Sequence, residues 1–359
     1  MKDVNQEKPS VIVDFSHMGR KITGIERISE ELFSAAVLKQ FNVMHTRPAT
    51  ALGMIKAQWL DIPLLARKNP QAQLLFPGFP PSILISMLFG KRVVPYIHDL
   101  FLLERPKELN IRARLYMRPS FIYAIKNLKI FFVNSQTTAD HLAKVARPDA
   151  RIYKLRPRAE NIFKFEFKER YLPEGNTALK IVMLGTLEPR KNYLFAAKIT
   201  QQLSAQLGRP VELHISGREG WGGVPEMLKP YSHVQYHGYL AMDELRNLVD
   251  SSHLFLCTSL DEGLGLPLLE VLYSGIPIIA SDIAVFNEVT ANTRSILISN
   301  SNEAAACQAI VAKLADGQFF EASGRDAKNA IEMWNAQVLK DKELVFSRVL
   351  AKWMDTEEY

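Results

Sequence analysis

Several familiar devices are scarce or missing from this chain, and each absence closes a class of function. Only two cysteines, Cys257 and Cys307, occur in 359 residues. Two thiols cannot build the disulfide framework of a small secreted domain, and a reducing cytoplasm suits the chain better. The opening stretch, Met1 to Ser10, is polar and charged, unlike a secretory signal with its apolar centre. One long segment, Asn69 to Gly90, carries no charge, but it contains Pro70, Pro77, Pro80 and Pro81. Prolines at that density break a continuous spanning helix. The segment reads instead as a buried strand (Gln73–Phe76), a turn, and a short buried helix (Ser82–Phe89).

The common cofactor and metal signatures are also missing. There is no Gly-x-Gly-x-x-Gly after the first strand, no Gly-x-x-x-x-Gly-Lys-Ser/Thr, no His-Glu-x-x-His, no Cys-x-x-Cys and no Asp-x-Asp. No cofactor and no metal are therefore expected, and any phosphate charge must be met by Arg, Lys and helix ends. His233 and His237 have i,i+4 spacing but flank a strand, so no metal role is read into them.

What is present is an ordinary globular composition, 47% apolar and 23% charged. That excludes a disordered chain, a fibrous repeat and a coiled coil. The length suits two domains. The net charge of +6 hides an asymmetry: residues 1–175 carry 28 Lys and Arg against 16 Asp and Glu, and residues 176–359 carry 16 against 22. A basic half beside an acidic half hints at an anionic partner for one of them.

Short apolar runs alternate with helical periodicity. Strands are expected at Val11–Phe15, Phe41–His45, Gln73–Phe76, Val93–Ile97, Ile130–Asn134 and Ile152–Leu155, with helices at Gly24–Lys39, Arg112–Lys126 and Thr137–Ala146. The alternation fails between Arg156 and Asn176, a charged stretch with Pro157, Pro173 and Gly175. It restarts at Lys180–Leu184 and continues through Val211–Ser216, Val234–Tyr236, Leu254–Cys257, Pro277–Ala280 and Ser295–Ile298. Helices are expected at Tyr193–Leu207, Met242–Asp250, Leu266–Tyr273 and Gln337–Trp353. The expected architecture is α/β: two doubly wound Rossmann-like domains facing a cleft, spanning 1–170 and 176–335, with 336–359 a C-terminal helix crossing back to the first.

In such sheets ligands lie beyond the carboxyl ends of strands, and four segments fall there. In Leu254 to Glu270 a buried strand enters a glycine-containing loop and then a helix with Pro267 in its first turn. Backbone N–H groups of Gly263, Leu264, Gly265 and Leu266 and the positive helix end suit an anion or a hydroxyl. Glu262 and Glu270 flank that loop, and an acid there can hold both hydroxyls of a ribose; first-turn acids that merely complement the helix dipole fit the pattern as well. In Leu184-Gly185-Thr-Leu-Glu-Pro-Arg190-Lys191-Asn192, two cations stand at the start of the next helix. That placement opposes the dipole unless a polyanion sits between them; a solvated surface pair is the alternative. His98 and Asp99 end an apolar strand, where histidine is as often structural as functional. Asp14, His17 and Arg27 lie near the end of the first strand, and Gly24 at a helix start allows close approach of a diphosphate or sugar.

Taken in order, these motifs resemble the retaining glycosyltransferases of family 4, with the GT-B fold, and in particular bacterial polysaccharide mannosyltransferases. The Glu262-Gly-Leu-Gly-Leu-Pro-Leu-Leu-Glu270 segment resembles that family's E-x7-E motif, although Leu264 stands where an aromatic is usual. Leu184 to Asn192 resembles its diphosphate-binding turn, and Thr23-Gly-Ile-Glu-Arg27 and Ile97-His-Asp-Leu100 resemble N-domain signatures. The resemblance implies that Glu270 binds the nucleotide ribose, that Arg190 and Lys191 hold the diphosphate, and that Glu262 meets the donor-sugar hydroxyls beside the N–H groups of Leu264 to Leu266. It implies His98 beside the reacting sugar, Gly24 under the diphosphate, and Ser216, Gly217, Tyr239 and Leu240 around the base.

The function so implied is transfer of a hexose, mannose from GDP-mannose, to a glycan or lipid-linked acceptor in surface-polysaccharide synthesis, on the cytoplasmic side of the membrane. The acceptor is expected on the first domain. There Asn110 to Lys129 combines Arg112, Arg114, Arg118, Lys126 and Lys129 with Tyr116, Phe121, Ile122 and Tyr123. That composition suits peripheral contact with an anionic membrane, or equally a core-facing helix with a solvated basic side. No nucleic acid is expected, since no recognition module is present and the phosphate motifs lie in the acidic half. A nucleotide-sugar epimerase or hydrolase of the same fold, or a non-catalytic sugar-nucleotide-binding subunit, are the competing readings.

Overall fold

The computed structural model describes residues 8–18, 24–48, 50–106, 108–109, 111 and 113–351. Thr23, Arg112, Asn110, Trp353 and the first seven residues, all used above, lie outside the described residues. The chain forms two compact units: one from Arg158 to Ala336, the other from the described residues on either side.

The first unit is built on a parallel sheet of β1 (Ser10–Asp14), β2 (Asn42–Thr46), β3 (Gln73–Phe76), β4 (Val93–Ile97), β5 (Ile130–Val133) and β6 (Arg151–Lys154). The strand order is β2-β1-β3-β4-β5-β6. Strands covered on both faces must be apolar throughout rather than alternating, and Val11, Ile12 and Val13 are all but fully buried. The core between sheet and helices gathers Ile12, Leu74, Phe76, Ile97, Phe121 and Phe131. Because β1 lies between β2 and β3, the winding reverses at the β1/β3 junction.

The second unit repeats the plan with β7 (Leu179–Leu184), β8 (Val211–Ser216), β9 (Val234–Tyr236), β10 (Leu254–Cys257), β11 (Ile278–Ser281) and β12 (Ile296–Ile298). Its order, β12-β11-β10-β7-β8-β9, puts the reversal between β7 and β10. Among the described residues, neighbouring strands in both sheets pair in parallel. The fold class is therefore the expected one, two doubly wound α/β sheets.

Several expected boundaries shift for physical reasons. The first unit ends at Pro157, short of 170. The charged stretch after it is docked on the second unit: the buried Arg170 guanidinium donates to the carbonyls of Val249, Asp250, Ser252 and Ser274 at 2.7–3.2 Å. The first helix runs only over Gly24–Phe33. Turns follow it and bring Leu38 and Phe41 into the core, where a straight helix would leave them outside. Arg112–Lys126 resolves into a π-turn, Ala113–Met117, and a helix, Arg118–Asn127, with Pro119 in its first turn, where proline is tolerated.

At the end of the chain, Gln337 lies inside a 25-residue helix, Phe319–Glu343, which continues as a π-helical segment, Leu344–Leu350. Its last turns are tied to the first unit. Asp341 accepts from Arg156 Nε at 2.6 Å and Nη2 at 3.1 Å. Lys342 pairs with Glu31 at 3.0 Å, and Gln73 donates to the Leu350 carbonyl at 3.0 Å. The uncharged Asn69–Gly90 segment is β3 followed by the helix Ile83–Phe89, whose start is capped by the Ser82 hydroxyl. Among the described residues no helix is long and apolar enough to cross a membrane.

Candidate active site

In the second unit the loops after β7 and β10 meet at the switch point. Arg190 and Lys191 do not open the following helix as expected. They sit in a 3-10 turn, Pro189–Lys191, separated from the helix Tyr193–Leu207 by Asn192 in the left-handed conformation (φ 54°). The turn is held from below: Thr258 Oγ1 donates to the Lys191 and Asn192 carbonyls at 2.9 and 3.1 Å, and Leu260 N donates to the Arg190 carbonyl at 2.8 Å.

Both cations are aimed at Glu262. Lys191 Nζ donates to its Oε1, and Arg190 Nη1 lies 2.8 Å from its Oε2. Ser259 Oγ adds a bond to Oε1 at 2.9 Å. Arg190 is gripped on its other side by Glu188, Nε to Oε1 at 2.6 Å, and donates to the Asp261 carbonyl at 3.0 Å. Burial alone would push the Glu262 carboxyl up; Lys191 and Arg190 outweigh it and hold it down at about 2. Burial pushes Glu188 up, against the pull of Arg190 and Lys191. Two cations and two carboxylates thus form a nearly neutral cluster whose charges are fixed in direction.

Around this cluster the glycine positions are dictated by contact. Gly185 N donates to the Ser216 carbonyl at 3.0 Å, and Gly217 N to the Gly238 carbonyl at 2.9 Å. Gly217 then lies so close to Gly185 that a Cβ would overlap the Gly185 carbonyl. Ser216 Oγ also donates to the Gly238 carbonyl, at 3.1 Å. Tyr239 is exposed, with the Arg218 guanidinium 4.5 Å over its ring; Leu240 is half-buried beside it. After β10, Gly263 leads to Leu264, which is buried, and Gly265 takes φ +81° with Phe286 packed against its Cα. Only six residues, Leu266–Val271, form the helix that follows, and Glu270 is buried within it.

The first unit's switch point has different chemistry. His98 Nε2 donates to the Pro77 carbonyl at 2.7 Å; a carbonyl can only accept, so Nε2 carries the proton. Ser29 Oγ gives its one proton to the Ile25 carbonyl at 2.8 Å, with Pro77 O a longer 3.3 Å away. His17 Nε2, 2.9 Å from Ser29 Oγ, is therefore the donor in that bond. Both Nδ1 atoms are buried, and among the described residues neither has a hydrogen-bond partner. Burial pushes each imidazole down to about 4, so both are neutral near pH 7. The His17 ring lies flat against Gly78, with no room between them for a Cβ.

Asp14 and Asp99 are engaged locally. Asp14 accepts from Ser16 N at 2.9 Å, Thr46 Oγ1 at 3.2 Å and Gln58 Nε2 at 2.6 Å. Asp99 caps the Phe101 N–H at 3.0 Å. Gly24 begins the helix Gly24–Phe33, with Arg27 half-buried on it.

The sequence reading missed four participants. Glu188 and Ser259 hold the cation cluster, and Ser29 and Pro77 link the two histidines. Only Glu188 carried a signal, an acid two residues before Arg190 in a loop already singled out.

Comparison with solved structures defines the fold. The chain superposes on sucrose-phosphate synthase from Thermosynechococcus elongatus with TM-score 0.69 at 14% identity, covering 94% of this chain and 98% of that one. The Anabaena protein HepE, solved with UDP-glucose, gives 0.64 at 13% identity over 94% and 99%. WaaG, a glycosyltransferase of lipopolysaccharide biosynthesis, gives 0.61 at 14% over 94% and 98%. The chain has the GT-B fold of these proteins.

Similarity in sequence is partial. Residues 164–333 match the family model described as Glycosyl transferases group 1. O-antigen chain mannosyltransferase B of Escherichia coli is 29% identical over 144 residues, 38% of this chain and 37% of that protein. The serotype-specific mannosyltransferase WbdA of Escherichia coli is 33% identical over 118 residues, 31% and 14%. O-antigen chain mannosyltransferase RfbU of Salmonella typhimurium is 27% identical over 187 residues, 50% and 49%. These alignments span about half or less of each relative. The chain thus has the GT-B fold, and a little under half of it, residues 164–333, is similar to the group 1 glycosyl transferases.

Proposed function

We propose that the chain is a retaining, metal-independent glycosyltransferase that moves mannose from GDP-mannose to a glycan or lipid-linked acceptor in surface-polysaccharide synthesis, at the cytoplasmic face of the membrane. The observation that carries this reading is the Glu262–Arg190–Lys191 cluster at the second sheet's switch point. The mannosyltransferase names of the relatives support the choice of sugar.

Breaking the anomeric C–O bond leaves negative charge on the departing diphosphate. Arg190 and Lys191 are pre-oriented to receive it, and preorganised donors aimed at developing charge are each worth about 3–4 kcal/mol. Glu262, ionised at neutral pH, accepts from donor-sugar hydroxyls and is unsuited to act as an acid. The acceptor hydroxyl attacks the face from which the diphosphate leaves, and its proton passes to the leaving phosphate oxygen. His98, held neutral with Nε2 committed to Pro77, offers Nδ1 to a sugar hydroxyl. Glu270 accepts from the ribose, and Tyr239 with Arg218 flanks the base.

A panel of nucleotide-sugars read by thermal shift and by transfer, with chelator present, tests the proposal. GDP-mannose is expected to give the largest shift and chelator-resistant transfer with retained configuration. Equal response to every nucleotide would defeat the donor assignment. Release of free sugar as the dominant reaction with acceptor present would favour a hydrolase, and a trapped glycosyl adduct on an Asp or Glu would overturn same-face attack.

A further inference from the structure

The cluster at β7 and β10 leaves the exit of β8 without a task. The chain leaves β8 as Gly217-Arg218-Glu219-Gly220, and this segment is held rather than loose. Leu187 N donates to the Arg218 carbonyl at 2.9 Å, and Gly220 N donates to the Leu187 carbonyl at 3.1 Å. Leu187 and Glu219 so form a parallel bridge, in register with the β7–β8 pairing and beyond its end. A Cβ on Gly220 would stand 2.7 Å from the Leu187 carbonyl oxygen, which shows how closely the two backbones lie. Glu219 is therefore mounted on a fixed backbone, one strand spacing of about 4.8 Å from the segment that leads into the Pro189–Lys191 turn.

Arg218 and Glu219 are sequence neighbours of opposite charge, yet they do not pair. The Arg218 guanidinium lies 4.5 Å over the Tyr239 ring. Glu219 is exposed, and among the described residues its carboxylate has no hydrogen-bond or ion-pair partner. Tyr236 stands near it: its hydroxyl donates to the Gly217 carbonyl at 3.1 Å, and its phenol is pushed up by burial and further by the Glu219 charge. Tyr236 is 39% and Tyr239 70% exposed. An acceptor-only group beside open aromatic rings, with the adjacent cation committed to one of them, suits a flat ring that presents two N–H donors side by side. Among nucleobases that ring is guanine, whose N1–H and N2–H match the two oxygens of a carboxylate. Uracil presents one N–H between two carbonyl oxygens, and adenine presents a bare N1 on the same edge. A carboxylate repels both.

We propose that Glu219 sets the base of the nucleotide, accepting N1–H and N2–H of guanine while Tyr239 covers its face. The proposal rests on the reading of the chain as an enzyme of GDP-mannose, and deepens it by naming the side chain that selects the base.

The test is calorimetric titration of GDP, inosine diphosphate and UDP into the full chain, into Glu219→Gln and into Tyr239→Ala, with thermal melting to check folding. Inosine diphosphate differs from GDP only in lacking the N2 amine. The wild-type protein is expected to bind GDP at least about tenfold more tightly than either of the other two. Glu219→Gln should bring the ratio of GDP to inosine diphosphate affinity toward one, whereas Tyr239→Ala should weaken both alike and leave the ratio in place. No binding of GDP, equal affinity for GDP and inosine diphosphate in the wild type, or a ratio that survives Glu219→Gln would overturn the proposal. So would unchanged binding of both nucleotides to Tyr239→Ala. A Glu219-dependent preference for GDP, without mannose transfer from GDP-mannose to any acceptor, would uphold the base contact and sink the glycosyltransferase reading instead. Sugar transfer from a uridine nucleotide-sugar, with no preference for GDP, would sink the base contact and leave the glycosyltransferase reading standing.

Discussion

The two switch points share a parallel-sheet plan and differ in electrostatics. The second unit's is ionic: Glu262 is held at about 2 between Lys191 and Arg190, and Glu188 grips Arg190 from the other side. The first unit's is neutral: His17 and His98, both at about 4, are joined through Ser29 and Pro77, each with an Nδ1 that has no partner among the described residues. The contrast follows from the strand ends. The loop between β7 and its helix supplies two cations and an acid within four residues, whereas the loops after β1, β3 and β4 supply His17, Pro77, Gly78 and His98, with Asp14 and Asp99 beside them engaged in hydrogen bonds. An ionic site can exchange one anion for another. A neutral site with committed donors can only accept hydroxyl protons, the property suited to a sugar.

The largest expected effect is on the ionic side. Lys191→Met should lower kcat/KM by about 100- to 1,000-fold, in steady-state transfer assays, with the fold retained by circular dichroism. A loss under tenfold would place the leaving-group charge elsewhere.

Backbone contact gives the next. Gly217→Ala must push the Gly185 carbonyl, a rigid neighbour, and should destabilise the second unit by roughly 3 kcal/mol or more in urea unfolding. Gly78→Ala meets the His17 ring, a side chain that can turn, and should cost the first unit about 1–3 kcal/mol. The reverse order would mean that the two close approaches are misassigned.

Acid should separate the units. For His17 and His98 the folded value, about 4, lies below the ordinary 6.5. The unfolded chain therefore takes up protons first, and their contribution is complete above 6.5 and lost as pH falls through 4. For Glu262 the ordinary value is 4.5 and the folded one about 2, so its contribution is present above 4.5 and lost only as pH falls through 2. Amide exchange at pH 5 should show β1 and β4 loosening before β7 and β10. The opposite order would contradict the assignment of charge states. The smallest effect belongs to His98→Gln, which can keep a donor to Pro77 while losing the ring acceptor: about a tenfold fall in kcat/KM, with little change in stability.

Much of this was readable from residues alone. Strands such as Val93–Ile97 and Leu254–Cys257 coincide with their apolar runs, because burial on both faces leaves no polar position to blur the ends. Glu262, Arg190 and Lys191 were visible as motif residues at strand ends. Their pairing was not, since it depends on how two distant loops are brought together by the β7–β10 reversal. Glu188 was overlooked for the same reason: a buried acid shows its role only when Arg190 is seen between it and Glu262. The end of the first unit was misread because Arg170 looks like linker charge until its four backbone carbonyls are in place.

The central claim is that the second unit's cluster accepts a nucleotide diphosphate by yielding Glu262's hold on its cations. Calorimetric titration of GDP into the wild-type protein, Lys191→Met and Glu262→Gln tests it most directly. The account predicts at least about tenfold weaker binding for Lys191→Met, and binding as tight as wild type or tighter for Glu262→Gln, which removes the competing carboxylate yet loses sugar transfer. Equal affinity in all three proteins, or an equal loss in both variants, would contradict it.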